Sequence, residues 1–494
     1  MTSPTTTAEQ TSPDAPAPER PLPWLPVAAV TSCIIAISIG RGVIRDVDLY
    51  WHLLVGQDIL AGTPVTEAGR GWSFAPLPDT WVSTQWLAEV LFAKLDAVAG
   101  LAAFPVYRTV TTLLAMAVLA LVTLYRRPAR AGTWAFCLAV VPLFFTAQER
   151  SQQLTFVLAP LVGWWAERLW REGRLPRWWV VLPLVVVWSN FHGGWIILTV
   201  ALGIAGLARL VDHGRRDHVW WQAWLLAAGT VAAACISPSG IGNVLAFVRF
   251  SGAGDRIGEW GRAYPWSGEA APLALLLLIV VAVWARGQRR PTAREVVLVL
   301  TLVVFGFSYW RNVTPACFML APIITGLLAR SMGLPDPLPR GERQPFARLS
   351  MGIAAVGAAL ALTFSILQTP VVDTAIPLTL IDDIHRASAP QRVLATYNLS
   401  GPVLWFGGPP PHVTVGIDGR ADRNGGAYID RYMNALAGQS GWKNLVDELK
   451  PTSALLQNDE ALSELLVAEK GWVVVAREGE YVLLHAPGAP GWSS

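Results

Sequence analysis

Charge is scarce in this chain. Of its 494 residues only 15% are Asp, Glu, Lys or Arg, whereas 53% are hydrophobic. Soluble domains carry about 25% charged residues, so the composition excludes an ordinary soluble protein and favours a membrane protein. Lysine is scarcer still, since it occurs only at Lys94, Lys443, Lys450 and Lys470. The sequence has no basic patch interleaved with aromatic residues, so nucleic acid is not an expected partner.

Cysteine is also rare and has no regular spacing. The four cysteines lie far apart within apolar runs, at Cys33, Cys137, Cys235 and Cys317. This pattern excludes a disulfide framework and a zinc site, and it is typical of small hydrophobic residues in a buried position.

Residues 1–23 are rich in Pro, Thr, Ser and Ala. Such a composition predicts a disordered segment, which we place in the cytoplasm. The segment lacks the basic start of a secretory signal, so we expect the first apolar run to be a retained helix.

Long hydrophobic runs dominate residues 24–370. A helix needs about 20 apolar residues to cross a bilayer core. Eleven runs approach or reach that length, at 24–43, 101–125, 132–147, 151–168, 178–190, 193–210, 219–236, 270–286, 294–309, 312–330 and 348–368. The breaks near residues 149 and 311 are short, and one long helix is the alternative at each of them.

Arginine is distributed asymmetrically between these runs. With a cytoplasmic N-terminus, each of the five inner loops holds at least three arginines, whereas the short outer turns hold one or none. Basic residues accumulate in cytoplasmic loops. The pattern therefore predicts eleven spans in a plasma membrane, an outer loop at residues 44–100 and a C-terminus outside the cytoplasm.

The composition changes after residue 370. Runs such as "VLATYNLSGPVLWFGG" and "TSALLQ" resemble short strands with turns, and "GWKNLVDELK" has the periodicity of an amphipathic helix. We therefore expect an extracytoplasmic α/β domain at residues 376–494. The predicted fold class is an α-helical polytopic membrane protein of about eleven transmembrane helices with this C-terminal α/β domain.

Polar residues gather at the outer ends of the predicted spans. In chain order they are Asp46, Asp48, His52, Gln85, Glu89, Arg150, Gln152, Asn190, His192, Glu259 and Arg311, and the turn "GIDGRAD" of the C-terminal domain adds Asp418 and Arg420. Ionisable groups close to a bilayer are costly and usually mark a functional site. We expect these residues to converge on one outer pocket that binds substrate.

Asp46 and Asp48 are the candidate catalytic residues. Two acids so close in sequence can share a divalent cation such as Mg²⁺ or Mn²⁺ through oxygen ligands. One carboxylate can instead act as a general base. The alternative is a pair of solvated acids beside a helix end.

Arg150 and Arg311 are candidate phosphate ligands. They lie on the predicted outer face, whereas most arginines of the chain lie in the predicted inner loops. A guanidinium can bind a phosphate with two hydrogen bonds. The alternative is an ion pair with Glu149 or Glu259.

Two further motifs have a structural alternative. Glycines beside His192 allow a substrate to approach closely, but this histidine can also be a polar plug in a helix break. Asp418 and Arg420 can reach the membrane face as a lid, whereas a structural turn with an ion pair is the other interpretation.

Five segments together resemble one known group of proteins. They are "DVDLYWHLLVGQDIL", "STQWLAEVLF", "ERSQQLTFVL", "SNFHGGW" and "IDGRAD". From about residue 40 to the C-terminus, this order resembles bacterial polytopic proteins related to the GT-C superfamily of glycosyltransferases. The resemblance implies a helical bundle in the cell envelope with an acidic first outer loop, where Asp46 and Asp48 match.

The resemblance also implies an activity, which is the transfer of a sugar from a polyprenyl-phosphate carrier to an acceptor outside the cytoplasm. The expected partners are that lipid-linked donor, membrane lipids, and a glycan, lipid or protein acceptor. Gln85 stands where related chains often carry His or another polar residue, which leaves the acceptor chemistry open. Two other functions stay open, namely a transporter or lipid-handling protein, and a non-catalytic cell-envelope scaffold.

Overall fold

The computed structural model describes residues 22–77, 81–250, 261–287, 291–342 and 344–492. In the N-terminal three quarters of the chain the helices are α1 (Trp24–Ile39), α2 (Leu49–Leu60), α3 (Trp86–Ala99), α4 (Ala103–Thr123), α5 (Ala129–Val140), α6 (Leu143–Thr146), α7 (Gln153–Glu172), α8 (Trp178–Phe191), α9 (Ile196–His213), α10 (Val219–Ala234), α11 (Gly242–Phe250), α12 (Ala271–Arg286), α13 (Ala293–Ser308), α14 (Val313–Ser331) and α15 (Ala347–Leu367).

Apolar helices fill the positions of the predicted spans. Among the described residues, five stretches are long and apolar enough to cross a membrane, at Trp86–Thr123, Ala129–Thr146, Gly193–His213, Trp310–Ser331 and Ala347–Leu367. Shorter apolar helices coincide with α1, α8, α10, α12 and most of α13. The chain is thus a multi-pass membrane protein, while the number of spans and the side of each terminus stay predictions.

The polar breaks separate helices from one another. Helix α8 ends because His192 adopts an extended backbone, with φ −162° and ψ 145°. Its side chain then accepts a hydrogen bond from the Gly194 N–H and caps the following turn. Tyr309 is likewise extended before α14, and residues 147–152 lie between α6 and α7. Neither alternative of one long helix is realised.

Helix α7 packs between α4 and α14 in the core of the bundle. A Cβ atom added at Gly163 of α7 would lie 2.2 Å from the backbone oxygen of Met319 in α14. The two helices therefore touch through their backbones, as small residues permit in membranes. This contact holds the start of α7 beside the start of α14.

The C-terminal part of the chain is mixed α/β. It begins with β2 (Val371–Val372), which pairs in parallel with the earlier β1 (Val43–Ile44). The elements that follow are α16 (Leu378–Arg386), β3 (Gln391–Ala395), α17 (Ser400–Phe406), β4 (Val413–Val415), α18 (Ala421–Leu436), α19 (Trp442–Leu449), β5 (Ser453–Gln457), α20 (Ala461–Lys470), β6 (Val473–Glu478) and β7 (Tyr481–His485). We call residues 378–485 the C-terminal unit.

A five-stranded sheet in the order β4-β3-β5-β7-β6 forms the centre of this unit. The contacts β4-β3 and β3-β5 are parallel, and the other two are antiparallel. The strand expected over "VLATYNLSGPVLWFGG" is wrong in its second half, which forms α17. A short apolar run does not distinguish a buried strand from a buried helix.

Helix α2 is buried between the membrane helices and the C-terminal unit. Every residue from Leu49 to Gly56 is buried, and the Tyr50 and Phe406 rings lie 5.0 Å apart. The segment before α3 also pairs with β4, since Phe74 N donates to Val415 O at 3.0 Å. The C-terminal unit is therefore attached directly to residues 44–100.

Candidate functional site

Asp46 and Asp48 meet Arg150 at the start of α2. The Nη2 atom of Arg150 lies 2.7 Å from Asp46 Oδ1 and 3.2 Å from Asp48 Oδ2. The side chain of Asp46 is 0% exposed and that of Asp48 is 40% exposed. Asp48 can therefore meet a substrate, whereas Asp46 holds the guanidinium in place. We call these three residues the carboxylate cluster.

The neighbouring Glu149 has a different partner from the one its sequence position suggests. It forms a buried ion pair with Arg108 of α4, and the Arg45 N–H donates to it at 3.2 Å. Arg108 also donates to Val43 O at 2.8 Å. The expected alternative, an ion pair of Arg150 with Glu149, is thus not formed. Arg108 was missed because it stands inside an apolar run.

A second polar chain starts one turn further along α2. His52 Nδ1 lies 2.9 Å from the buried carboxylate of Glu89, so it carries the proton of this hydrogen bond. Its Nε2 atom faces the Gln85 amide nitrogen at 3.4 Å, and Ser151 donates to Gln85 Oε1 at 2.6 Å. Four polar side chains thus form one path from α2 and α3 to the residue after Arg150.

His192 is neutral near physiological pH. Burial and the nearby guanidiniums of Arg311 and Arg150 lower the pKa of His192 to about 3. Its Nδ1 atom accepts from Gly194 N at 3.0 Å and contacts Thr155 Oγ1 at 2.8 Å, which leaves the proton on Nε2. Thr155 lies in the first turn of α7, which begins just after Arg150, so His192 lies in the same region as the carboxylate cluster.

Gln152 and Asn190, which were also expected at this site, connect neighbouring segments through hydrogen bonds to backbone carbonyls. Gln152 donates to the backbone carbonyl of Arg311 at 3.0 Å, so it joins the turns before α7 and α14. Asn190 accepts from Trp86 Nε1 at 2.7 Å and donates to two backbone carbonyls. These bonds use the Asn190 amide to connect α3, α8 and the segment after α10.

Asp418 and Arg420 pair with each other inside the C-terminal unit. Arg420 Nη2 lies 2.7 Å from Asp418 Oδ2, and both side chains are buried. Burial alone would raise the pKa of Asp418, but the adjacent guanidinium holds it below its usual range. Arg420 also lies 5.1 Å from each of the Trp72 and Trp81 rings. This is the geometry of a structural turn with an ion pair.

The turn nevertheless contacts the carboxylate cluster through one side chain. A Cβ atom at Gly419 would lie 2.3 Å from Trp51 Nε1, and that indole nitrogen donates to Asp48 Oδ1 at 3.1 Å. The C-terminal unit therefore helps to orient Asp48. The sequence did not predict this role of Trp51, because a tryptophan near the end of an apolar run is typical of the membrane interface.

Glu259 lies outside the described residues. The divalent cation also stays a prediction, and the donor arrangement does not favour it. Arg150 lies between Asp46 and Asp48, where a shared cation would bind. Within the ranges that the structure describes, His, Cys, Asp and Glu side chains form no group of three or more that could hold a metal. We therefore derive no chemistry through a metal.

An apolar cavity of about 460 Å³ begins at Trp86, the residue that follows Gln85. Its lining is Trp86, Leu87, Val186, Val187, Asn190, Cys235, Ile236, Ser237 and Pro238. The lining comes from the start of α3, the end of α8 and the segment after α10, which are the three segments that the Asn190 amide connects.

No protein-family model and no curated protein matches the sequence. Solved structures do match. ArnT from Cupriavidus metallidurans, bound to undecaprenyl phosphate, has a TM-score of 0.50 at 16% identity, with 95% of this chain and 98% of that chain covered. The Archaeoglobus fulgidus oligosaccharyltransferase, tethered to an acceptor peptide, has a TM-score of 0.49 at 10% identity, with 94% and 74% covered.

A third match is the arabinofuranosyltransferase AftD from Mycobacteria. Its TM-score is 0.46 at 15% identity, with 94% of this chain and 41% of that chain covered. The similarity to ArnT extends over nearly the whole of both chains and includes both the helical bundle and the C-terminal unit. The chain therefore has a GT-C-like fold.

Proposed function

We propose that this protein is a membrane glycosyltransferase that moves a sugar from a polyprenyl-phosphate-linked donor to an acceptor outside the cytoplasm. The observation that carries the proposal is the carboxylate cluster, in which an accessible Asp48 lies 3.2 Å from the Arg150 guanidinium. A base and a phosphate ligand side by side are what this reaction needs. The undecaprenyl phosphate bound to ArnT supports a lipid-linked donor.

Asp48 is the proposed general base. The acceptor hydroxyl gives its proton to the Asp48 carboxylate while its oxygen attacks the anomeric carbon of the sugar. The bond from that carbon to the phosphate oxygen breaks, and its electron pair stays on the phosphate. Direct displacement inverts the configuration at the anomeric carbon. The bond from Trp51 to Asp48 aims the base.

Arg150 and Arg311 are proposed to hold the phosphate. Negative charge develops on the leaving phosphate, and fixed donors that face it lower the barrier. Neutral His192 adds an N–H donor from Nε2 without adding a charge. Asp46, which is buried against Arg150, is a positioning residue that keeps this guanidinium beside Asp48.

The cavity next to Gln85 is the proposed site for the first isoprene units of the donor. It has a volume of about 460 Å³ and is lined mainly by apolar side chains, as an isoprenoid chain requires. Gln85 and His52 then lie where the lipid enters the polar region, and they are proposed to bind the sugar. The acceptor stays unidentified among glycans, lipids and proteins of the cell envelope.

Asp48→Asn tests the proposal, with Asp96→Asn as the matched control. Asp96 lies on α3 within the same outer segment, is half-buried and hydrogen-bonds only to Gln57 among described contacts. The full-length protein in lipid nanodiscs would be given synthetic polyprenyl-phosphate sugars and a panel of acceptors, and release of polyprenyl phosphate would be measured.

Asp48→Asn should lower transfer by about 10²-fold or more, the range that a general base contributes, while Asp96→Asn should retain activity. Equal activity of the Asp48→Asn variant and the unmodified protein would refute the assigned base. Uptake of substrate into proteoliposomes without any transfer would instead favour the transporter hypothesis.

A further inference from the structure

A second cavity lies at the opposite end of the helical bundle from the carboxylate cluster. Helix α7 begins beside that cluster at Gln153, and Glu167 to Glu172 lie at its other end. With a rise of about 1.5 Å per residue this separation is about 20–30 Å, close to the thickness of a bilayer core. The cavity has a volume of about 430 Å³ and lies between the ends of α4 and α7 and residues 336–337.

Two arginines form the fixed wall of this cavity. Arg127 lies 2.6 Å from Glu167 and 2.8 Å from Asp336. Arg171 contacts the same carboxylates at 2.8 Å and 3.3 Å. The four charges cancel, and the side chains of Arg127, Glu167 and Asp336 are almost completely buried. This network is a structural element that gives the cavity its shape.

Three other arginines line the same cavity, and Glu172 is the one remaining acid among the described residues of its lining. Arg168 and Arg174 lie 3.5 Å and 3.1 Å from Glu172. Arg126 donates to the Leu338 carbonyl at 3.0 Å, which does not neutralise its charge. The lining thus has an excess of two positive charges. Arg174 is 68% exposed, so a ligand from outside can reach these groups.

The rest of the lining is apolar and faces the side of the bundle. Leu121 and Tyr125 are more than half exposed, and Leu161 and Trp164 line the cavity beside them. The Trp164 ring lies 4.9 Å from the Arg168 guanidinium. Apolar side chains at membrane depth are in contact with acyl chains, while arginine side chains extend to headgroup level. A soluble anion would make no use of this apolar side.

We propose that this arginine cavity, lined by Arg126, Arg168 and Arg174, binds the headgroup of an anionic phospholipid. The phosphate accepts hydrogen bonds from the guanidiniums, and the acyl chains lie along Leu121 and Leu161. Basic pockets between transmembrane helices are suited to such headgroups. The site is separate from the proposed transfer reaction, which takes place at the other end of α7.

Native mass spectrometry of the full-length, delipidated protein in detergent tests this proposal. The probes are phosphatidylglycerol, phosphatidylcholine and soluble glycerol 3-phosphate. Arg168→Gln/Arg174→Gln removes two cavity charges. The matched control, Arg215→Gln/Arg216→Gln, removes two exposed charges from the loop after α9. That loop lies at the same end, because Arg209 of α9 donates to Trp170 O at 3.4 Å.

Phosphatidylglycerol should bind about tenfold more tightly than phosphatidylcholine, and Arg168→Gln/Arg174→Gln should weaken it by about tenfold. The Arg215→Gln/Arg216→Gln control should bind as the unmodified protein does. Leu161→Trp, which fills the cavity and keeps every charge, should weaken the lipid as well.

Three results would each overturn the site. They are equal loss in both double variants, equal binding of the two lipids, and binding of glycerol 3-phosphate as tight as that of the lipid. Unchanged lipid binding in Leu161→Trp would show that the lipid does not bind in this cavity. None of these readouts depends on sugar transfer, so the proposed function can fail or succeed separately.

Discussion

Replacing Arg108 by methionine removes a guanidinium from a place that water does not reach. The side chains of Arg108 and Glu149 are 2% and 0% exposed. After the change, Glu149 keeps the Arg45 N–H at 3.2 Å, while Val43 O loses its donor at 2.8 Å. One carboxylate then stays buried without a counter-ion, beside the segment that leads into Asp46.

Loss of one partner from a buried ion pair costs about 3–5 kcal/mol, and we expect the free energy of unfolding to fall by that amount in Arg108→Met. Glu149→Gln should cost less, about 1–3 kcal/mol, because a neutral amide still fills the space and the Arg108 guanidinium keeps its hydrogen bond to Val43 O. The double variant has no buried charge left. Its cost should therefore be lower than the sum of the single costs by about 2 kcal/mol.

Unfolding in mixed detergent, followed by the fluorescence of the 24 tryptophans, measures these free energies. Arg386→Met is the control, because Arg386 and Asp382 form an exposed ion pair, with side chains 71% and 45% exposed. Such pairs contribute about 0.5 kcal/mol or less. An Arg108→Met cost as small as that of Arg386→Met, or additive costs in the double variant, would refute the reasoning.

Two further predictions concern the surroundings of the carboxylate cluster. The pKa of His192 is lowered from 6.5 to about 3, so its stabilising contribution is complete above pH 6.5 and is lost as the pH falls toward 3. Between pH 8 and pH 5 the loss is at most about 2 kcal/mol. His192→Gln should flatten that decline in melting temperature, and an unchanged slope would contradict the assignment. Gly419→Ala should displace the Trp51 indole from Asp48 at a cost of about 1–3 kcal/mol in the free energy of unfolding. We expect a changed near-ultraviolet circular dichroism spectrum and several-fold slower transfer. If both stay unchanged, Trp51 does not orient the base.

Helix lengths and the arginine asymmetry are local properties, so the sequence alone leads to the expectation that the polar motifs lie at one face. Asp48, Arg150 and Arg311 each follow or precede an apolar run, and alternating spans bring such ends to one face. Which charged side chains pair with one another could not be predicted from the sequence. For Arg150 the sequence left a phosphate contact and an ion pair with Glu149 or Glu259 open, whereas in the structure it binds carboxylates about a hundred positions earlier.

Arg108 shows why some residues were missed. It stands in an apolar run of the sequence and gives no periodic signal, but in the bundle it faces Glu149 from α4. The sequence also did not decide whether Asp418 and Arg420 are buried, since a turn motif is compatible with either a lid or an internal ion pair. Only the packing of Trp72 and Trp81 against Arg420 distinguishes the two.

By itself, the sequence determined where apolar helices form. In lipid, the polar groups of the backbone must be hydrogen-bonded within the segment, and a run of neighbouring apolar residues achieves this by forming a helix. The tertiary structure alone decided which carboxylate is accessible and which is buried against a guanidinium. That choice depends on distances of about 3 Å between segments far apart in the chain, and such distances arise only when α2, α7 and the C-terminal unit pack together.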